Sequence, residues 1–252
     1  MNMKRRDMLR ALPVLIGGAF LPFGRAMAAV PASAGSIRFD VHYGAQGFKV
    51  GEALHEWKIE RDRYALRLNL AASGLAGLFG LQYEQRSEGG VGPEGMRPDS
   101  FVVDQRGRKL DSAHFDWAAA RVSLRRDGKE RRHGTIGPGD QDLLSLWHQA
   151  RRFARASQPV ALNVITGKSI KQARLAPLGP EKLKLPAGEL DTLKMRATAE
   201  GGELDIDIWL SVQHELLPVR IRITDDDGGV LDQRAAMIEA GPPGASANTE
   251  KS

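Results

Sequence analysis

Strict alternation of apolar and polar residues is the feature that most limits what this chain can fold into. Ile37-Arg38-Phe39-Asp40-Val41-His42-Tyr43 puts four apolar side chains on one face and three polar ones on the other. Tyr64-Ala65-Leu66-Arg67-Leu68-Asn69-Leu70, Leu204-Asp205-Ile206-Asp207-Ile208 and Val219-Arg220-Ile221-Arg222-Ile223-Thr224 repeat the pattern. A period of two matches strands with one face on a core and the other in water. Asp127-Gly128, Gly201-Gly202 and Asp227-Gly228-Gly229 sit between such runs and suit hairpin turns. A sheet of this many strands curls as it twists. The expected fold is therefore mainly β: a single large curved antiparallel sheet or incomplete barrel. No linker or repeat divides the middle of the 252 residues, so one domain at 34–240 is the economical reading. If the strands at 204–210 and 219–224 pair, Asp205 and Asp207 face Arg220 and Arg222. Each such pair is worth about 0.2–1 kcal/mol and sets register.

One segment departs from the pattern. Asp140-Gln141-Asp142 opens a run in which Leu143, Leu146, Trp147, Ala150, Phe153 and Ala154 recur at helical spacing. Acidic residues at its start and Arg151, Arg152 and Arg155 at its end suit the helix dipole. The expectation is one α-helix at about 142–156, packed on the sheet by its apolar stripe. Its other side carries Asp142, Ser145 and His148, an acid, a hydroxyl and an imidazole along one line. A hydrolase needs oxyanion donors and an acid behind the His as well. A solvated helix face accounts for the same three residues, and no catalytic residue is assigned.

The remaining chemistry is thin. The chain has no Cys, which excludes disulfide scaffolds, thiolate zinc sites, iron–sulfur clusters and a Cys nucleophile. His214-Glu215-Leu216-Leu217-Pro218 begins like a zincin motif, but Pro218 stands in place of the second ligand. Gly167-Lys168-Ser169 echoes a phosphate loop, but Leu162 stands where its first Gly must be. The six His show no ligand spacing. No metal and no cofactor is expected.

The ends of the chain give an address. Lys4-Arg5-Arg6-Asp7-Met8-Leu9-Arg10 leads an uncharged stretch that ends in Ala26-Met27-Ala28, the small residues that a signal peptidase needs. Residues 1–28 therefore read as an export signal, and the Arg-Arg pair resembles the twin-arginine type. Ala32-Ser33-Ala34 is a second cleavage site, so the mature chain starts at Ala29 or Gly35. The apolar stretch is broken by Pro13, Gly17, Gly18 and Pro22, too short to remain as a membrane anchor. The expected location is the periplasm, in soluble form after cleavage. From residue 29 onward, 31 basic side chains face 30 acidic ones, so the +5 of the whole chain belongs to the signal. With that balance and that address, nucleic acid is not an expected partner. The Gly-, Pro- and Ser-rich stretch 241–252 has no apolar periodicity and is expected to be a disordered tail.

Several phrases together carry a resemblance. They are Tyr83-Glu84-Gln85-Arg86-Ser87-Glu88-Gly89, Gly95-Met96-Arg97-Pro98-Asp99-Ser100-Phe101 and Phe115-Asp116-Trp117, then Gln141-Asp142-Leu143-Leu144-Ser145-Leu146 and Pro186-Ala187-Gly188-Glu189. Trp209-Leu210 and Leu217-Pro218-Val219-Arg220 complete the set. In that order, over about 37–238, they resemble the exported bacterial proteins of domain of unknown function 3108. The resemblance implies an exported β-rich domain and brings no activity with it. The architecture is also similar to that of periplasmic lipoprotein carriers, whose curved sheet wraps a cavity covered by a helix. That similarity is one of fold and does not by itself carry function.

The leading functional expectation is a non-enzymatic periplasmic protein that binds an apolar or amphipathic, lipid-like envelope molecule in a β cavity. The apolar loop Gly74-Leu75-Ala76-Gly77-Leu78-Phe79-Gly80 would line or gate its opening. Tyr83, Trp117 and Trp147 are the proposed wall, and Arg86 the holder of an anionic headgroup, since a guanidinium forks onto phosphate or carboxylate. Core packing and surface ion pairs are the plainer roles for these four. Arg125, Arg126, Lys129, Arg131 and Arg132 flank a predicted hairpin tip and would meet an anionic surface, lipid or polysaccharide; an ordinary charged hairpin is the alternative. Two other functions remain open: an envelope interaction or assembly factor without a cavity, and a hydrolase on envelope glycan or lipid.

Overall fold

Each alternating run becomes a strand in the computed structural model, which describes residues 33–44, 46–72, 82–202, 204–225 and 227–241. The export signal, the apolar loop at 74–80 and the tail beyond Gly241 lie outside the described residues. The first half of the chain forms β1 (Ser33–Tyr43), β2 (Phe48–Ile59), β3 (Arg63–Ala72), β4 (Gln82–Gly92), β5 (Gly95–Gln105), β6 (Asp111–Asp116), β7 (Arg121–Arg126) and β8 (Lys129–Thr135). Then come β9 (Gln141–Asp142), α1 (Ser145–Gln149) and β10 (Val160–Ile165). The chain finishes with β11 (Ile170–Leu185), β12 (Gly188–Ala199), β13 (Leu204–Ser211), β14 (Leu217–Asp225) and β15 (Val230–Gly241).

All fifteen strands join one sheet in the order β8-β7-β6-β5-β4-β3-β2-β1-β15-β14-β13-β12-β11-β10-β9. Two meanders thus spread in opposite directions from the central pair β1 and β15, joined antiparallel from Ala34↔Gly241 to Tyr43↔Leu231. Among the described strands only β9 and β10 run parallel, so the sheet is mixed rather than wholly antiparallel. It curls until its edges approach: a Cβ on Gly134 of β8 would collide with Ile170 of β11. No ladder joins β8 to β9, and the barrel stays open.

The hairpin signals fall where expected. Asp127 and Gly128 turn β7 into β8 at φ 49° and 76°. Both central residues are left-handed, as a two-residue turn of strand twist requires. The β13–β14 register sets Asp207 opposite Arg222 and Trp209 opposite Arg220. The ion pairs nevertheless go sideways: Asp207 takes Arg196 at 2.6 and 2.8 Å, and Asp232 takes Arg220 at 2.9 and 2.7 Å. The Trp209 ring explains part of this, because Lys194 and Arg220 both lie 4.5 Å from its centre.

The turns after β1, β3, β5, β7, β10, β12 and β14 share one end of the sheet, here the upper end. Both termini of the described chain and the turns after β2, β4, β6, β11 and β13 share the lower end. The helix is shorter than the expected 142–156. It spans Ser145–Gln149, continues as a 3₁₀ turn over Ala150–Arg152, and leaves Asp142 in a strand. Every side chain of α1 is buried. The sheet wraps around this segment, so it is a plug inside the curl and has no solvated face.

Candidate functional site

The inner face of the barrel differs at its two ends. Toward the lower end the plug fills it: Leu144, Leu146 and Trp147 are 0–1% exposed. The polar residues of the plug find partners in the wall. Asp142 accepts from the Leu144 and Ser145 backbone N–H groups at 2.9 and 2.8 Å, capping the helix from outside it. Ser87 of β4 donates to the same carboxylate at 2.6 Å and accepts from Tyr64 at 3.1 Å. Burial raises the Asp142 carboxyl to about 6 against these hydrogen bonds. His55 of β2 must donate Nδ1–H to the Arg67 carbonyl at 3.1 Å, so its Nε2 is bare and accepts from His148 Nε2–H at 2.8 Å. Burial lowers His55 to about 4, and burial and the facing His55 take His148 well below its ordinary value.

The β4–β5 turn is tied to the plug by its backbone. Gln149 accepts from Met96 N and donates to Glu94 O, Gln141 donates to Met96 O, and Arg152 donates to Pro93 O. Gly95, at φ 93°, fits only because it has no Cβ, which would strike Gln149. Asp142, Ser145 and His148, read from sequence as a solvated helix face, are therefore fully buried members of a packing network. None of the three meets solvent, so none is placed to meet a substrate.

At the upper end the same inner face runs out of cover. Tyr43 and Phe48 pair directly across β1 and β2, on the face that carries Val41 and Phe39 lower down. They are 52% and 66% exposed. Leu70, Ile223 and Leu231 continue that face around the mouth and are half-buried. A depression of about 550 Å³ lies at the upper end of β3, β4 and β5, lined mostly from the outer face by Asn69, Gln82, Glu84, Asp104 and Arg106, with Leu70 and Tyr83 at its rim.

The family model described as "Protein of unknown function (DUF3108)" matches residues 38–234. The chain belongs to the DUF3108 family. Comparison with curated proteins finds no match. Among solved structures, the beta-barrel-like protein of domain of unknown function DUF1849 from Brucella abortus superimposes with a TM-score of 0.58 at 7% identity, over 83% of this chain and 98% of that one. At that identity the likeness shows the fold. A protein of Parabacteroides distasonis, provisionally described as a lipoprotein, aligns over 82% of this chain and 94% of that one at 10% identity, with a TM-score of 0.31 that carries no argument. Among the described residues no helix is long and apolar enough to cross a membrane.

The phrases through which the sequence resembles DUF3108 proteins have a physical meaning here. Ser87 from the first, Gly95 and Met96 from the second, and Asp142 from the fourth together build the socket of the plug. Phe115 and Trp117 stack at 6.0 Å, and Trp117 donates to Pro98 O at 2.6 Å, bracing β5. Ala187 in the β11–β12 turn donates to Ala235 O and fastens that hairpin to β15.

The proposed wall residues separate. Tyr83 is half-buried at the upper mouth and accepts from Gln85. Trp147 is sealed in the plug. Trp117 belongs to the lower turn between β6 and β7, and Arg86 is exposed on the outer face, 3.4 Å from Glu84. Arg125, Arg126, Lys129, Arg131 and Arg132 do gather, on the β7–β8 hairpin at the sheet edge. Sequence reading missed Tyr43 and Phe48, although alternation already placed Tyr43 on the apolar face. It also missed Arg106, Arg108 and Lys109, whose turn joins the basic hairpin only in three dimensions.

Proposed function

We propose that this DUF3108 protein is a non-enzymatic protein of the periplasm that binds an apolar or amphipathic, lipid-like envelope molecule. The binding place is the upper mouth of the curled sheet, above the plugged core, and not a closed cavity. One observation carries this reading: the cross-strand pair Tyr43 and Phe48, at 52% and 66% exposure on the inner face. A hairpin tip gains about 0.2–1 kcal/mol from such a pair, but that gain does not require the rings to be left in water. Aromatic side chains supply large contact area for an apolar ligand at small entropic cost. Tyr83 and Leu70 extend the same surface, and Arg106, on the outer side of the same end of the sheet, offers a cation to an anionic head.

The test is native mass spectrometry of the mature protein, purified without detergent from the periplasm of its own host. A bound species of lipid-like mass is expected, lost on denaturation and absent from the Tyr43→Ser/Phe48→Ser variant. A bare protein mass for the wild-type chain overturns the reading.

A further inference from the structure

Charge in this protein is segregated. Residues 104–133 hold nine Arg and Lys against five Asp and Glu, whereas the other positions from 29 onward hold 22 against 25. The fold gathers the surplus. The β5–β6 turn and the β7–β8 tip are locked together: Asp127 N donates to Leu110 O at 2.9 Å, and Leu110 N donates to the Asp127 carboxylate at 3.1 Å. The acidic residues of this corner are largely occupied. Asp127 meets Lys109 at 3.5 Å, Asp111 meets Arg126 at 2.8 Å and Lys168 at 3.7 Å, and Glu130 meets Arg121 at 2.6 Å. Among the described residues Asp104 has no cation beside it, and Asp116, on the lower β6–β7 turn, accepts only from Ala119 N. Arg106, Arg108, Lys129, Arg131 and Arg132 are exposed and have no acidic partner among the described residues.

Cations on β8 have a plain use, since β8 is a free edge and Lys or Arg there discourages pairing with another chain. That use does not reach Arg106, Arg108 and Lys109, which stand on a turn between two interior strands. A second cause is needed for them. The corner shares the upper end with the exposed Tyr43 and Phe48, so cations and apolar rings are presented at the same end of the sheet. A polyanion in solution would use the cations only; a bilayer with anionic headgroups uses both.

We infer that the upper corner formed by Arg106, Arg108, Lys109 and the β7–β8 hairpin docks the protein on an anionic phospholipid surface, with Tyr43 and Phe48 toward the hydrocarbon. This deepens the proposed function, because it sets the mouth against the membrane from which a lipid-like ligand comes. The two can fail separately: ligand retention is read by mass, docking by vesicle binding.

The experiment is co-sedimentation of the mature protein with phosphatidylglycerol vesicles and with phosphatidylcholine vesicles. Each cation near an anionic surface strengthens binding roughly fivefold. Arg106→Glu/Arg108→Glu/Lys129→Glu is therefore expected to weaken binding to phosphatidylglycerol by a hundredfold or more, on the order set by three such losses. Arg61→Glu/Arg155→Glu/Lys184→Glu makes the same charge change on exposed residues of the lower end and is expected to bind nearly as the wild-type chain does. Unchanged thermal melts of both variants show that the fold is intact. Salt at about 0.5 M should release the protein, since screening then acts within several ångströms. Equal binding to both vesicle types, or retained binding by the upper-corner variant, overturns the inference. So does binding to dextran sulfate without binding to vesicles, which assigns the corner to a polysaccharide, and so does binding to none of these.

Discussion

At the lower end of the barrel the inner-face side chains are sealed, and Asp142, His148 and Gln149 are hydrogen-bonded between the plug and the wall, while Trp147 Nε1 and His148 Nδ1 are buried without a partner among the described residues. At the upper end the same face lifts aromatic side chains into water with little cover. Stability alone favours the first arrangement, because burying a large apolar side chain contributes about 1.5–3 kcal/mol. A chain that plugs one mouth with Trp147, Leu146 and a Tyr64–Ser87–Asp142 hydrogen-bond relay, yet leaves Tyr43 and Phe48 exposed at the other, separates a packed scaffold from an open apolar rim. Places where local rules of burial fail are where function is sought.

The largest expected effect tests the scaffold half of that comparison. Trp147→Ala removes a side chain that is 1% exposed at the centre of the plug. Such truncations cost about 3–5 kcal/mol through lost burial and an unfilled cavity. Chemical denaturation of the variant should show that loss. A cost near zero would mean that the plug is not the core of the lower end, and the contrast between the two ends would dissolve.

The polar network makes a smaller prediction with a definite sign. Asp142 holds its proton more tightly when folded, so the stability it contributes is complete below about 3.8 and lost as pH rises through about 6. His55 and His148 act in the opposite direction. Their stability is present above 6.5 and is lost as pH falls from there, toward about 4 for His55. Between about pH 6 and 4, counting these three groups, the unfolded chain binds two extra protons and the folded chain one. Stability should therefore fall as pH drops through this range, by on the order of 1 kcal/mol per pH unit. Asp142→Asn keeps an oxygen for Leu144 N and Ser145 N and gives Ser87 a donor in place of an acceptor. Without the compensating proton its acid slope should be steeper, roughly twice that of the wild-type chain. Denaturant titrations across this range check it; equal slopes for the two proteins would place Asp142 outside the buried network.

How much of this was legible in the sequence follows from the range of the interactions involved. Alternation is local, so the strands at 37–43, 64–70, 204–208 and 219–224 and their hairpins could be read directly. The plug could not be read correctly, because helical spacing describes one apolar stripe and is silent about what covers the other side. Its polar residues meet Ser87 and His55, 55 and 93 positions away from Asp142 and His148. Arg196 and Lys194 likewise took Asp207 from Arg222, a choice between neighbouring strands that pairing rules within one hairpin do not make. Aromatic type singles out Tyr83, which lies half-buried at the upper end. Trp147 was chosen for the same reason and lies in the core. Residue type alone does not tell a wall from a floor.

The smallest expected effect on stability tests the other half of the comparison. Tyr43→Ser/Phe48→Ser removes two rings that stand mostly in water, so the loss should be confined to their cross-strand contact, about 0.2–1 kcal/mol. That is several times less than the expected cost of Trp147→Ala, although more apolar surface is deleted. The same variant should lose the lipid-like adduct in native mass spectra. The two readouts must therefore separate: binding falls while the melt hardly moves. If the melt falls as far as it does for Trp147→Ala, the upper rings are core residues under cover, and the mouth has no surface left to offer a ligand. If neither readout changes, their exposure has no use in binding, and the basic corner stands alone as the contact surface.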